Sequence, residues 1–309
     1  MSRFALLAVV VVAVMVVGCH GPAPARVSLS ESHTAPDRLA ATTTQPLPLR
    51  VAVAAILSPR ANLDAYDPLL RYIEARLGGT VELVQRTTYA EVNELVRLGA
   101  VDVAFVCSGA FVEGQRQFGM ELLVTPQVRG QDRYYSLVIA SATSRVHSLE
   151  DLRGRSFAFT DPLSNSGHLA PSWALHQRGE VPERFFSATS FTHSHDNSIR
   201  AIADGTYDGA AVDSLVYDFA VQREPSLAAR TRIVYREGPF GMPPVVVRAG
   251  MDPHLKARLR EVFLGIGDDE AASQVRQTLQ VDRFVPADTK AYSSVRRMAA
   301  TLRRWNAAP

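Results

Sequence analysis

The chain has 309 residues, 47% of them hydrophobic, with 33 Lys and Arg against 31 Asp and Glu for a formal net charge of +2. A balance this near neutrality, without a basic block, excludes nucleic acid as the main partner, since that role needs a concentrated positive field. The two cysteines, Cys19 and Cys107, make no C-x-x-C pair, so a zinc-finger design is excluded too, and the length accommodates two modest domains.

The first residues stand apart from the rest. Met1-Ser2-Arg3 is a short basic region, and Phe4 to Val17 is almost unbroken apolar sequence, too short for a comfortable membrane span. It ends in Val16-Val17-Gly18-Cys19, which resembles a bacterial lipoprotein lipobox. The resemblance implies a signal peptide over 1–18, cleavage before Cys19 and lipidation of its thiol. The folded part is then expected outside the cytoplasm, lipid-anchored to the membrane. Residues 19–48, rich in Ala, Pro, Ser and Thr, read as a flexible tether. With Cys19 modified, Cys107 has no disulfide partner and reads as a small buried residue beside an apolar strand.

Leu49 to Ile56 reads as a buried strand, Leu57 to Asp67 as a loop, and Asp67-Pro68 as a helix start with Leu69, Leu70, Ile73 and Leu77 facing inward. Val81 to Val84 is a second strand. Thr88 and Glu91 have capping-box spacing before a helix carrying Val92, Leu95 and Val96, and Val101 to Val106 is a third strand. This alternation predicts a largely parallel sheet covered by helices. Leu122–Pro126 and Tyr134–Ala140 read as further strands of the same lobe.

A second α/β unit begins near residue 141. The strand Ser156–Thr160 runs into Asp161-Pro162-Leu163-Ser164-Asn165-Ser166-Gly167-His168, followed by an apolar helix with Leu169, Trp173 and Leu175. A helix start leaves backbone N–H groups unpaired, and its dipole favours an anion. Ser164, Asn165 and Ser166 add side-chain donors there, so the turn suits a small oxyanion; the same residues also serve as ordinary caps and turn formers. Another helix is predicted from Ser194, with His195 and Asp196 in its first turn. Tyr207 to Asp213 follows as a strand leading into Ser214. Thr231–Tyr235 and Val245–Arg248 are strands separated by a rigid crossing segment, Gly238 to Pro244. Asp252-Pro253 opens a helix, and the last helix packs Tyr292, Val295, Met298 and Leu302.

His193, His195 and Asp196 are spaced too loosely for a metal centre, and no metal or other cofactor is expected. Ser164 or Ser166 with His195 and Asp213 would supply the parts of a serine-dependent hydrolase. Ser166 lies outside any G-x-S-x-G elbow, however, and no catalytic residue is assigned.

Five dispersed segments in order carry a family resemblance: Tyr89 to Phe105; Asp151-Leu152-x-Gly154 with Phe157 to Gly167; Ser194-His195-Asp196; Gly205-x-x-Asp208-Gly209-Ala210; and Pro243 to Val247 with Asp252-Pro253-x-Leu255. Together they resemble the PhnD-like phosphate/phosphonate-binding proteins of ABC transporters. The resemblance implies a two-lobed α/β periplasmic binding protein, type II-like, with two crossover strands. Its first lobe spans 49–140, its second 141–234, and residues 235–309 return to the first. It implies a small phosphorus oxyanion (phosphonate, phosphite or phosphate) held between the lobes by Ser164, Asn165, Ser166, Gly167 and His195. Asp213 and Ser214 lie near the ligand, and Tyr134 or Tyr135 forms a wall. An ABC permease is the implied partner; a membrane sensor, or an envelope role without transport, is the alternative. Asn165 stands where threonine is common in the family, and Phe111 where tyrosine is common.

Overall fold

The computed structural model describes residues 48–307. The expected signal peptide, Cys19 and all but the last residue of the expected tether lie outside the described residues.

Eleven strands among the described residues form two mixed sheets. They are β1 (Leu49–Val53), β2 (Val81–Gln85), β3 (Val103–Phe105), β4 (Glu121–Gln127), β5 (Arg133–Ser141), β6 (Ser156–Phe159), β7 (Ala188–Phe191), β8 (Gly209–Asp213), β9 (Thr231–Gly241), β10 (Val245–Val247) and β11 (Arg283–Pro286). The first sheet has the order β11-β4-β10-β3-β1-β2 and the second β7-β6-β8-β5-β9. In each, the strands joined through helices are parallel (β1 to β2 and β3; β6 to β7 and β8), while β10 and β5 enter antiparallel. Helical crossovers force the parallel pairs, and strands arriving from the other lobe run the opposite way.

Three expectations change. Tyr134–Ala140 belongs to the second sheet, because β5 pairs with β8 and β9. β9 likewise runs on to Gly241, so the chain crosses between lobes at 128–132 and not near 140, and again at 242–244, inside the expected crossing segment Gly238 to Pro244 but past the expected boundary at 235. Local alternation reports a strand but not its sheet. The helix expected from Asp67-Pro68 starts eight residues earlier, at Pro59 after Ser58, and carries Pro68 inside it. Asn62 and Ala65 continue the buried face of Leu69 and Ile73, and that packing overrides the local start signal. β11 escapes a reading that sees only helices after Asp252.

Side chains alternate across β1: Val51 and Val53 pack with Leu69, Ile73 and Phe263, whereas Ala52 and Ala54 face a second cluster with Tyr89, Cys107 and Phe111. That second cluster runs on into Tyr134, Ala170 and Phe240 of the other lobe and Tyr292 of the closing segment. Hydrogen bonds also cross the junction, including these four: His195 N–H to Ile56 O (3.1 Å), Ser58 N–H to Asp196 Oδ1 (2.9 Å), Tyr89 N–H to Asp161 Oδ2 (3.1 Å) and Asn165 N–H to Cys107 Sγ (3.2 Å). The lobes are therefore closed on each other. A typical hydrogen bond adds about 1 kcal/mol net, against about 1.5–3 kcal/mol for a fully buried large apolar side chain. The shared apolar cluster thus supplies most of the cohesion, and the four polar contacts set its register.

Candidate functional site

The serine-rich turn sits at the carboxyl end of β6, in the junction. Asn165–Leu169 forms a π-helical turn that leads into the helix Ala170–His176. Its widened bonds run from Leu169 N–H to Ser164 O and from Ala170 N–H to Asn165 O. Such widened turns are frequent at functional sites. Gly167 permits it: a Cβ there would lie 2.5 Å from the Thr160 side chain.

The polar residues of the turn divide by role. Ser164 is a cap, its Oγ accepting from Gly167 N–H at 3.0 Å. The Gly167 amide is thereby engaged and points at Ser164. Asn165 donates from Nδ2 to the Tyr134 hydroxyl at 2.9 Å, while its Oδ1 is buried without a partner. Ser166 Oγ is likewise buried and unpartnered, although Ser166 O accepts from Ser136 Oγ at 2.6 Å. A third orphan lies across the junction: the hydroxyl of Tyr89, fully buried and without a partner. Tyr89 packs in one cluster with Cys107 and Tyr134, its own N–H bonds Asp161, and Tyr134 in turn bonds Asn165. Buried polar atoms nearly always find partners, so these three orphans at the junction are candidate ligand contacts; Asn62 Oδ1, Gln85 Oε1, Asn93 Oδ1, Ser172 Oγ and His176 Nδ1 are buried and unpartnered elsewhere.

His195 opens the helix His195–Ala203, capped by Ser194 as its spacing predicts. Its Nδ1 accepts from Asp213 N–H at 3.1 Å and lies 3.0 Å from Thr160 Oγ1. Nδ1 therefore carries no proton, which leaves the hydrogen on Nε2. Burial pushes the imidazole down to about 3, so His195 is a neutral donor. Asp213 acts on it through the backbone only. Its carboxylate caps the helix Ser214–Arg223 by accepting from Leu215 N–H at 2.7 Å, and burial pushes it up to about 7. The hydrogen bonds of a serine–histidine–aspartate relay are not made: Ser164 Oγ serves Gly167, Ser166 Oγ has no partner, and the Asp213 carboxylate faces its own helix. Among the described residues no Lys or Arg hydrogen bonds to the turn or to His195, and no cluster of His, Cys, Asp or Glu is placed to hold a metal.

The two tyrosines of β5 face opposite ways. Tyr134 enters the junction, whereas the Tyr135 ring lies under the Arg236 guanidinium at 3.4 Å and lines a separate interlobe cavity of about 440 Å³. Ser214 also lines that cavity, its Oγ accepting from Tyr135 N–H at 3.0 Å. Tyr89 is the residue that the sequence reading passed over. It follows the Thr88 cap, where a buried aromatic reads as helix packing, and the partners that expose its role come from the other lobe. Phe111 packs edge-on against Tyr292, with ring centroids 4.8 Å apart.

Residues 51–292 match a family described as the phosphonate periplasmic substrate-binding proteins of ABC transporters. The chain is similar to the phosphate-import protein PhnD of Mycolicibacterium smegmatis, at 28% identity over 249 residues, covering 76% of this chain and 77% of that protein. It is also similar to a probable ABC transporter phosphite-binding protein, PhnD1, of Prochlorococcus marinus, at 21% identity over 255 residues, covering 80% and 82%. Among solved structures, a binding component of an ABC phosphonate transporter from Pseudomonas aeruginosa superposes with a TM-score of 0.79 at 22% identity, covering 84% of this chain and 88% of that one. PhnD1 of Prochlorococcus marinus in complex with methylphosphonate gives a TM-score of 0.74 at 17% identity, covering 82% and 98%. These structural matches share the two-lobed fold. With the family match spanning both lobes and the polar turn between them, this chain belongs to the ABC transporter phosphonate periplasmic substrate-binding protein family.

Proposed function

We propose that this protein captures a small phosphorus oxyanion in the junction between its lobes and delivers it to an ABC importer without changing it chemically. The observation that carries the reading is the trio of orphaned buried groups, Tyr89 OH, Asn165 Oδ1 and Ser166 Oγ, beside a turn that resembles an anion site. Ligand oxygens accept from Ser166, Tyr89 and the Nε2–H of His195, and a protonated ligand oxygen donates to Asn165 Oδ1. Charge-assisted bonds of this kind are stronger than neutral ones, and closure excludes competing water. The donors are uncharged, so discrimination rests on oxygen geometry more than on net charge. The lobes are 48–132 with the segment after 242, and 133–241; they hinge at the two crossings. Asp213 forms the far wall, Ser214 lines the separate cavity beside it, and Tyr134 holds Asn165 in its working rotamer. The body works outside the cytoplasm, anchored through lipid on Cys19.

Calorimetry of the full chain with phosphate, phosphite and methylphosphonate tests the reading. At least one gives a saturable signal, and no heat from any of them sinks it.

A further inference from the structure

Thr160 directly follows β6 and is fully buried. Its three polar groups all engage the two elements that carry the serine-rich turn and His195. The Thr160 N–H donates to Gly167 O at 3.1 Å, which fastens the turn to the end of the strand. The Thr160 carbonyl accepts from His193 N–H at 2.8 Å, in the loop that leads to the helix of His195. His193 has a φ of 63°, a left-handed conformation uncommon for a residue with a side chain, and such backbone persists where its surroundings impose it. The third group, the Thr160 hydroxyl, lies 3.0 Å from His195 Nδ1.

The direction of that last contact follows from its neighbours. Nδ1 accepts from Asp213 N–H at 3.1 Å, so it presents a lone pair and no hydrogen. The hydroxyl has a single proton and a second acceptor in reach, Ala211 O at 3.1 Å. Turned to Ala211, it would set an oxygen lone pair against the nitrogen lone pair across 3.0 Å of buried space, where such a mismatch is costly. Turned to Nδ1, it becomes a second donor to that nitrogen, and the ring hydrogen stays on Nε2. Ser198 Oγ, 3.4 Å from the Thr160 oxygen and 2.6 Å from Thr192 Oγ1, then donates to Thr160 in turn.

We infer that Thr160 is a positioning residue for capture: it fixes the spacing between the serine-rich turn and His195, and it holds the His195 hydrogen on Nε2, where a ligand oxygen accepts it. This rests on the phosphorus-oxyanion reading, in which Ser166 and His195 donate to one ligand. Thr160 acts through the turn and the imidazole, since its own polar groups are engaged within the protein. Without the hydroxyl both donors remain but their separation is no longer fixed, and recognition that depends on oxygen geometry weakens.

The test is nitrogen NMR of the ligand-free full chain carrying isotope-labelled histidine, with His195 assigned from its loss in His195→Gln. In the unaltered protein at neutral pH, Nδ1 resonates as an unprotonated, hydrogen-bonded nitrogen; this measurement needs no other variant, and a hydrogen on Nδ1 overturns the inference. Thr160→Val, close in shape, moves the resonance toward its unbonded position, and Thr160→Ser, which keeps the hydroxyl, moves it back. Calorimetry of the same proteins with phosphate, phosphite and methylphosphonate reads capture. Affinity is expected to fall about tenfold in Thr160→Val and to return in Thr160→Ser. Ser198→Ala, which removes an equally buried hydroxyl that does not touch the ring, has a smaller effect on both readouts. An affinity loss without movement of the resonance, movement without an affinity loss, or equal effects from Ser198→Ala marks a merely structural role and overturns the inference while the oxyanion reading stands. If none of the three oxyanions binds the unaltered protein, the oxyanion reading itself fails and takes the inference with it.

Discussion

Two turns in this molecule open on the same kind of hydroxyl cap and have opposite accounts. At Thr88 the hydroxyl accepts from Glu91 N–H and the Glu91 carboxylate accepts from Thr88 N–H, so a solvent-facing helix start satisfies itself. At Ser164 only the first hydroxyl behaves that way; the next two residues leave Asn165 Oδ1 and Ser166 Oγ buried and unmatched. A cap closes its own hydrogen-bond account, and a binding turn leaves it open. The cap residue does not separate the two, since each turn opens on a hydroxyl that accepts from the amide three residues on. Burial combined with missing partners does.

The sharpest way to probe the contrast is Asp213, a cap placed inside the binding region. It accepts from Leu215 N–H as an ordinary cap does, but burial raises its carboxyl to about 7. The folded protein therefore keeps a proton that the unfolded chain releases near the usual carboxylate value. Stability from this group is complete below that value and is lost as pH rises through about 7. Asp213→Asn keeps an acceptor for Leu215 and removes the charge. It is expected to stabilise the ligand-free protein at pH 8 by roughly 3 kcal/mol, with little effect at pH 4. Denaturant titrations at the two pH values read this, and equal effects at both would count against it. His195 works in the other direction: its imidazole is held down to about 3, so its contribution is present above the ordinary histidine value and fades as pH falls toward 3.

Gly109 tests whether the open account depends on closure. A Cβ at that position would stand 2.4 Å from Leu163 O and 2.9 Å from Asn165 N, both in the other lobe. Gly109→Ala is expected to hold the lobes apart and weaken binding by about 100-fold, while the melting of each lobe changes little. Unchanged affinity would show that capture does not need the closed junction.

A smaller, paired test separates the two turns directly. Ser166→Ala should lower ligand affinity by about 10- to 30-fold, the loss of one hydrogen bond to a charged group, and leave the ligand-free protein as stable or slightly more so. Thr88→Ala should do the reverse, costing about 1 kcal/mol of stability with affinity close to that of the unaltered protein. Chemical denaturation and calorimetry on both variants check the pattern. Matching effects would mean that the two turns are not different in kind.

The sequence carries much of this plan. Its strand–helix alternation, the caps at Thr88, Ser194 and Asp252 and the polar turn after β6 are all local patterns, and each is found where expected. What it hides is non-local. β5 has the alternation of any half-buried strand, and only its pairing with β8 and β9 assigns it to the second lobe. Tyr89 looks like core because it is core, 0% exposed; its orphaned hydroxyl emerges only when residues from the second lobe are brought beside it. Ser164 and Ser166 are indistinguishable by type, and one is structural while the other is free because the first faces Gly167. The Pro68 signal misleads because proline marks a helix start only when nothing upstream favours helix, and here Ser58-Pro59 already does.

The carboxylates that cross the junction have a further consequence. Asp196 accepts from Ser58 N–H and Asp161 from Tyr89 N–H, and each of those amides opens a helix of the first lobe. When the lobes part, both amides face solvent; when they meet, both are shielded by the other half of the molecule. Solvent exchange at these two backbone amides, neither of which is a ligand donor, is thus expected to follow occupancy of the site. Ser58 and Tyr89 act as a gauge of capture that needs no attached label.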